Sequence, residues 1–453
     1  MDDQKVKSIL KTIYEELNID PIDEEYNRYL EEKVLKAYTY EKKSDIPFDE
    51  FISKIKELIP EFLEQYNRIK NNVDNMKNSA LSNFGVSICF ELIDLFEIAN
   101  QCSNNEEFAM LRNQYFEKLG TDPRCQGFDY IFPGLKDISY DDVNKIYENM
   151  INNVDCITPE WAGKMRCIVD VSKPLFNGSD INRDIFNFEF LDKVANFARN
   201  HNMKLRMHNI IWHKDFRPIF ENASKEQIYQ FLSVYMEELA NRYSDVIYSV
   251  DVLNEIASDT PDQVLRDSPW KDKLGDEYYI DILRVARKYF PNIELYYNEY
   301  GEERPEKIGN IVKIIERIKQ IEQEEGIVLL DGIGIQAHYS VSTPDDNIKN
   351  AFNEYVKTGK KLQVTELDVS NHGKQEGFDY QTNRVFRTVL DCTTQCGVDL
   401  LNIWGISSNI SWKKGMGECF LDGDNNLSVY SKKIIDVYSR RRKELQLGER
   451  IIK

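Results

Sequence analysis

Glu366 stands in "KKLQVTELDVS", residues 360–370, near the downstream end of a run whose apolar members are Leu362, Val364, Leu367 and Val369. Such a run is the pattern of a buried strand, and a carboxylate there is costly to bury unless it is paired. A second glutamate, Glu255, follows Asn254 at the end of "VIYSVDVLNE". Other runs end in His208, Trp212 and His213, in Asn298, Glu299 and Tyr300, in Gln336 and His338, and in Trp404 with Trp412 beyond it. Two carboxylates among histidines, amides and indoles suit the cutting of a glycosidic bond. One gives a proton to the leaving oxygen, and the other attacks the anomeric carbon or activates water. Indole faces stack on the apolar faces of sugar rings, while His, Asn and Gln bind hydroxyls. An aldolase or decarboxylase would need a strand-end lysine or metal ligands, and neither stands at these run ends.

This chemistry requires the run ends to meet. Eight short apolar or β-rich runs alternate with amphipathic stretches: "FDYIFPG" (128–134), "VDCIT" (154–158), "KLRMHNIIW" (204–212), "VIYSVDVLNE" (246–255), "IELYYNEY" (293–300), "VLLDGIGIQAHY" (328–339), "LQVTELDV" (362–369) and "VDLLNIWGI" (398–406). Between them, segments such as "FLDKVANFARN" and "PEKIGNIVKIIERIKQIEQE" space apolar residues three and four apart, as amphipathic helices do. Strand and helix alternating eight times predict a (β/α)8 TIM barrel, in which the C-terminal strand ends share one face. A doubly wound sheet is the other α/β option, but no glycine-rich first turn is present. Residues 1–124 read as an α-helical N-terminal domain, in which "ICFELIDLFEIA" is a helix or a strand. Covering the cleft, self-association and stabilisation are all open to that domain. Residues 125–445 are the expected catalytic domain.

Composition narrows the partners. The 453 residues carry a net charge of -19, which argues against nucleic acid and anionic membrane surfaces. The start, "MDDQKVKSIL", has no apolar leader, and no run is long enough to span a bilayer. The eight cysteines are scattered without a CxxC pair, and read as reduced thiols. These features point to the cytoplasm. No HExxH, P-loop or GxGxxG pattern occurs, so neither a metal nor a cofactor is expected.

The strings "RMHNIIWH", "VDVLNE", "YYNEY", "DGIGIQAH", "VTELDV" and "WGISSNISW" resemble, in order, the strand-end motifs of glycoside hydrolase family 10, the retaining endo-β-1,4-xylanases. The resemblance covers about residues 125–440. It implies that Glu255 is the acid/base and Glu366 the nucleophile. It further implies that Asn254 binds the sugar 2-hydroxyl and that His338 holds the nucleophile with Gln336 nearby. His208, Trp212, Trp404 and Trp412 would wall the sugar site, and "ITPEWAGK" matches the family's strand-two motif at Glu160 and Lys164. Asp368, two residues beyond the nucleophile, is expected at the loop edge in a structural role. Four positions depart from the family pattern. Trp161 stands for Asn and Asp215 for Gln, both of which contact the next sugar on the non-reducing side. Glu299 stands for Asp, and Ser408 for an Asp after the strand-eight Trp.

The expected protein is therefore a retaining β-glycosidase acting on xylo-oligosaccharides or another β-linked glycoside, with Trp161 and Asp215 rebuilding the neighbouring sugar site. The rival reading is a non-catalytic glycan-binding or scaffold protein on the same barrel.

Overall fold

The computed structural model describes residues 83–122, 134–261, 263–370, 378–407, 409–411 and 419–444. Eight parallel strands form a barrel: β1 (Asn83–Ile88), β2 (Cys156–Pro159), β3 (Lys204–Trp212), β4 (Ile247–Asn254), β5 (Glu294–Glu299), β6 (Gly332–Ile335), β7 (Lys361–Ser370) and β8 (Leu400–Ile403). Leu400 of β8 lies opposite Gln363 of β7 on one side and Asn83 of β1 on the other, which closes the ring. A short strand, His338–Ser340, runs on beyond β6 and pairs with the last residues of β7, with His338 opposite Asp368.

The helices pack an apolar stripe on this barrel. Pro305–Glu325 begins with proline at its first position and ends at Gly326, whose left-handed φ of 69° stops it. Between those signals Ile308, Ile311, Ile314, Ile315, Ile318 and Ile321 are buried, the three-and-four spacing of one helix face. Each such side chain contributes about 1.5–3 kcal/mol when fully buried. Polar and charged residues on the opposite face remain in solvent.

The first strand differs from the expected one. β1 is "NFGVSI", which lies inside the segment read as helical, while all of "FDYIFPG" but Gly134 lies outside the described residues. All six residues of β1 are buried, so it lacks the in-out alternation of a half-exposed strand. It also runs almost directly into the helix Phe90–Ala99, whose stronger pattern hides it. The chain divides into two compact units between Asn78 and Ser79. The helical reading of residues 1–82 lies outside the described residues.

Small residues let large polar ones sit inside the barrel. A Cβ on Gly334 would come within 2.4 Å of Asn298 Oδ1, and one on Gly85 within 2.6 Å of Asn402 Oδ1. These asparagines join a hydrogen-bonded belt. Thr158 donates to Asn402 at 3.1 Å, Asn402 to the Thr365 carbonyl at 2.9 Å, and Thr365 to Asn298 at 2.6 Å. Satisfied in this way, buried polar groups add rigidity directly beneath the strand ends.

Candidate active site

A cleft of about 550 Å³ opens at the C-terminal strand ends. Glu255, Glu366, Asn254, Gln336, His208, His338, Lys164, Trp161, Trp212 and Trp404 all line it. Asp215 does not. It is 2% exposed, and its carboxylate accepts from Arg166 Nε at 2.9 Å and from the Arg166 backbone N–H at 3.1 Å. The expected sugar ligand is instead an ion-pair anchor for the loop, because an arginine two residues after Lys164 reaches it. Trp412 and Ser408 lie outside the described residues.

Glu366 lies inside β7, not beyond it, and is buried. Asn298 Nδ2 donates to its Oε1 at 2.7 Å, and His338 Nε2 lies 3.2 Å from its Oε2. His208 Nδ1 is 4.0 Å from the same carboxylate and 2.8 Å from Asp251, which also pairs with the fully buried Arg206. Burial pushes the Glu366 carboxyl up, but His208 and His338 outweigh it and hold it at about 2. The nucleophile candidate is thus ionised across the working pH range. Asp368 is also buried within β7 and not at a loop edge, because the strand continues to Ser370. Its carboxylate lies 2.9 Å from His338 Nδ1, so it orients the imidazole and favours the imidazolium.

Glu255 is reached differently. Its φ is +58°, a left-handed conformation that few non-glycine residues adopt, and its N–H donates to the Asn298 carbonyl at 2.9 Å. The Trp212 indole N–H donates to its Oε2 at 2.7 Å, and Gln336 Nε2 donates to its Oε1 at 3.2 Å. His213 Nδ1 is 3.6 Å from Oε2. Burial pushes that imidazole down to about 4 against the pull of Glu255, which leaves it neutral at pH 7.

The two carboxylates are joined by amides. Gln336 donates to Glu255 and to Asn254 Oδ1, and Asn298 Nδ2 donates both to the same Asn254 oxygen, at 3.0 Å, and to Glu366. With its oxygen engaged twice, Asn254 keeps its NH₂ for a ligand: among the described residues it donates to none. Trp404 stands edge-on to His208 and His338, with ring centroids 5.5 and 6.3 Å away. Glu160 accepts from Ser87 at 3.0 Å, and burial pushes it up to about 7.

The side chains that support the two glutamates differ in how much signal they left in the sequence. Asn298 ended a run and so carried a signal. Ser87 sits on the strand hidden in the helical segment. Asp251 and Arg206 point into the barrel, where strand alternation alone does not separate a support from a core polar pair.

Comparisons with known proteins agree with this geometry. Endo-1,4-beta-xylanase A of Caldicellulosiruptor saccharolyticus is 31% identical over 295 residues, 58% of this chain and 78% of that protein. Beta-1,4-xylanase of Dictyoglomus thermophilum is 29% identical over 226 residues, 49% of this chain and 60% of its own length. A solved mutant structure in complex with xylotriose is 30% identical with a TM-score of 0.56, covering 64% of this chain and 92% of that one. The fold is shared with a psychrophilic family 10 endo-beta-1,4-xylanase at 23% identity and a TM-score of 0.58, covering 80% and 98%. The Glycosyl hydrolase family 10 model matches residues 135–433, from shortly before β2 through β8 and every cleft residue named above except Ser87. A family model that matches residues 135–433 and a relative 31% identical over 78% of its own length settle the descent: the chain belongs to glycosyl hydrolase family 10.

Proposed function

We propose that this glycoside hydrolase cleaves β-1,4-linked xylo-oligosaccharides, or a closely related β-glycoside, with retention of configuration. Glu366 attacks the anomeric carbon while Glu255 gives its proton to the leaving oxygen. The glycosyl–Glu366 ester is then hydrolysed by water that Glu255 deprotonates. Asn254 uses its free NH₂ on the 2-hydroxyl, and Trp404 and Trp212 wall the sugar.

The observation that carries this reading is the amide path from Glu255 through Gln336, Asn254 and Asn298 to Glu366. It fixes both carboxylates on one rigid frame while surrounding them differently. Glu366 faces cationic groups that keep it charged, and Glu255 faces an indole and an amide. Xylan relatives support the substrate class, and the Trp161 ring on the cleft wall favours short or aglycone-bearing glycosides over the long polymer. The cysteines that are free among the described residues support a reducing compartment, the cytoplasm, which cell fractionation tests.

The decisive experiment compares two variants on aryl β-xylobiosides. Glu366→Gln abolishes turnover on every substrate. Glu255→Ala spares substrates with good leaving groups, and added azide yields a β-glycosyl azide. Product of inverted anomeric configuration from the unmodified enzyme refutes the retaining assignment.

A further inference from the structure

Glu255 leaves β4 in a conformation that has to be held. A residue other than glycine keeps a φ of +58° only where its surroundings fix it. Its N–H is fixed from β5, where the Asn298 carbonyl accepts it at 2.9 Å. Its carbonyl is fixed by the loop that follows. There the chain folds back antiparallel on itself, with Ala257 opposite Leu265. Ser258 N–H donates to the Val264 carbonyl at 3.1 Å, and Arg266 N–H to the Ile256 carbonyl at 2.9 Å. This return brings the Arg266 side chain beside Glu255, and its Nε donates to the Glu255 carbonyl at 3.2 Å.

The guanidinium is itself anchored. Its Nη2 donates to Asp259 Oδ2 and to the Tyr300 hydroxyl, both at 2.8 Å, and that hydroxyl donates to the same Asp259 oxygen. Lys307 Nζ lies 2.9 Å from Asp259 Oδ1 and 3.0 Å from Glu299 Oε1. The other Glu299 oxygen accepts the Ala257 N–H at 3.0 Å. One connected set of charges thus grips the backbone at Glu255 and again two residues on. Trp212 and Gln336 hold the Glu255 carboxylate directly, but neither fixes the backbone that carries it. A partly exposed Arg–Asp pair adds little to stability by itself, so the use of this one lies in what it aligns.

We propose that Arg266 is a positioning residue for the acid/base. Its guanidinium holds the Glu255 backbone in the left-handed conformation that presents the carboxyl to the glycosidic oxygen. The inference rests on the reading of Glu255 as acid/base, and it assigns the alignment of that residue to a side chain that does not itself line the cleft.

The test reads proton donation separately from everything else. Specificity constants are measured on dinitrophenyl and phenyl β-xylobiosides for the unmodified enzyme, Arg266→Met and Arg266→Lys. Arg266→Met keeps the apolar stem and removes every side-chain donor. It lowers kcat/KM on the phenyl glycoside by about tenfold or more, part of the roughly 10²–10⁴ that general acid catalysis supplies. On the dinitrophenyl glycoside the loss stays below about threefold, because that leaving group departs without a proton. Arg266→Lys, which can still reach one acceptor, recovers part of the phenyl rate. A second variant, Asp259→Asn, sits at a side chain 36% exposed and weakens the same clamp from its outer end, so the test does not depend on the folding of one protein. It steepens the leaving-group dependence in the same direction. Equal losses on the two glycosides, or no loss on either, overturn the proposal. Glu255→Ala is the reference. If it too shows no leaving-group dependence, the acid/base reading fails and this inference falls with it. If Glu255→Ala is steep and Arg266→Met is not, this inference alone fails.

Discussion

His338→Asn removes one cation from beside Glu366 and keeps a hydrogen-bond donor, so it isolates the charge. Burial pushes the His338 imidazole down, but Asp368 and Glu366 outweigh it and raise it to about 10. The same pairing, with His208, takes Glu366 from 4.5 to about 2. At about 1.36 kcal/mol per pKa unit the whole downshift is worth roughly 3 kcal/mol, shared between His208 and His338, while the raised histidine owes more to Asp368 than to Glu366. The signs differ. The depressed carboxyl gives stability that is present above 4.5 and lost as pH falls through about 2, while the raised imidazole gives stability that is present below 6.5 and lost as pH rises through about 10. The variant is therefore less stable between pH 5 and 6, by part of that roughly 3 kcal/mol because His208 and Arg206 remain, and the gap narrows toward both extremes. Activity gives the sharper readout. On an aryl xylobioside with a good leaving group, kcat/KM of the unmodified enzyme stays level on the acid side down to about pH 3.5. In the variant Glu366 moves back toward 4.5, so an acid limb enters the measurable range. If the variant instead loses activity equally at every pH and its acid limb stays where it was, His338 acts by alignment alone and the electrostatic argument is wrong.

Two other predictions concern the frame. Glu91 is 3% exposed, its Oε2 has no hydrogen-bond partner among the described residues, and burial pushes it up to about 8. Its proton is held more tightly folded than unfolded, so it lowers stability progressively as pH rises from 4.5 through 8. Glu91→Gln therefore raises Tm at pH 8 and leaves Tm nearly unchanged at pH 4.5, which calorimetry across that range checks. A chain beginning at residue 125 lacks β1 and yields no folded barrel, whereas one beginning at Ser79 retains aryl-glycosidase activity. Circular dichroism and turnover of the two truncations compare them directly.

The strand ends that line the cleft were legible because barrel strands leave a double trace. β3, β4, β5 and β7 are apolar runs long enough to read, and each ends on a residue that a core strand has no reason to carry. Asn298 belonged to that set and became a support for both carboxylates. β1 left no such trace: it is six residues long, contains glycine and serine, and lies against a helix with a stronger pattern. What identifies it is pairing with β8 more than three hundred residues away, a non-local fact that no window along the chain contains.

The departures from the family pattern show where such reading stops. Trp161 and Asp215 looked like two halves of one altered sugar site, since both replace amides. In the structure they part. Trp161 stays on the wall, while Asp215 is taken by Arg166, a residue that drew no notice because arginine on a loop is ordinary. A carboxylate's role depends on which cation reaches it first, and that contest is decided in space. The double replacement Trp161→Asn with Asp215→Gln is then a poor route back to the family's sugar site. Its second half removes the carboxylate that holds Arg166 and Arg217, both of them only partly buried, and so loosens the loop. Trp161→Asn alone is the informative change. It opens the wall, and it raises cleavage of xylo-oligosaccharides relative to aryl glycosides if the indole is what restricts that site.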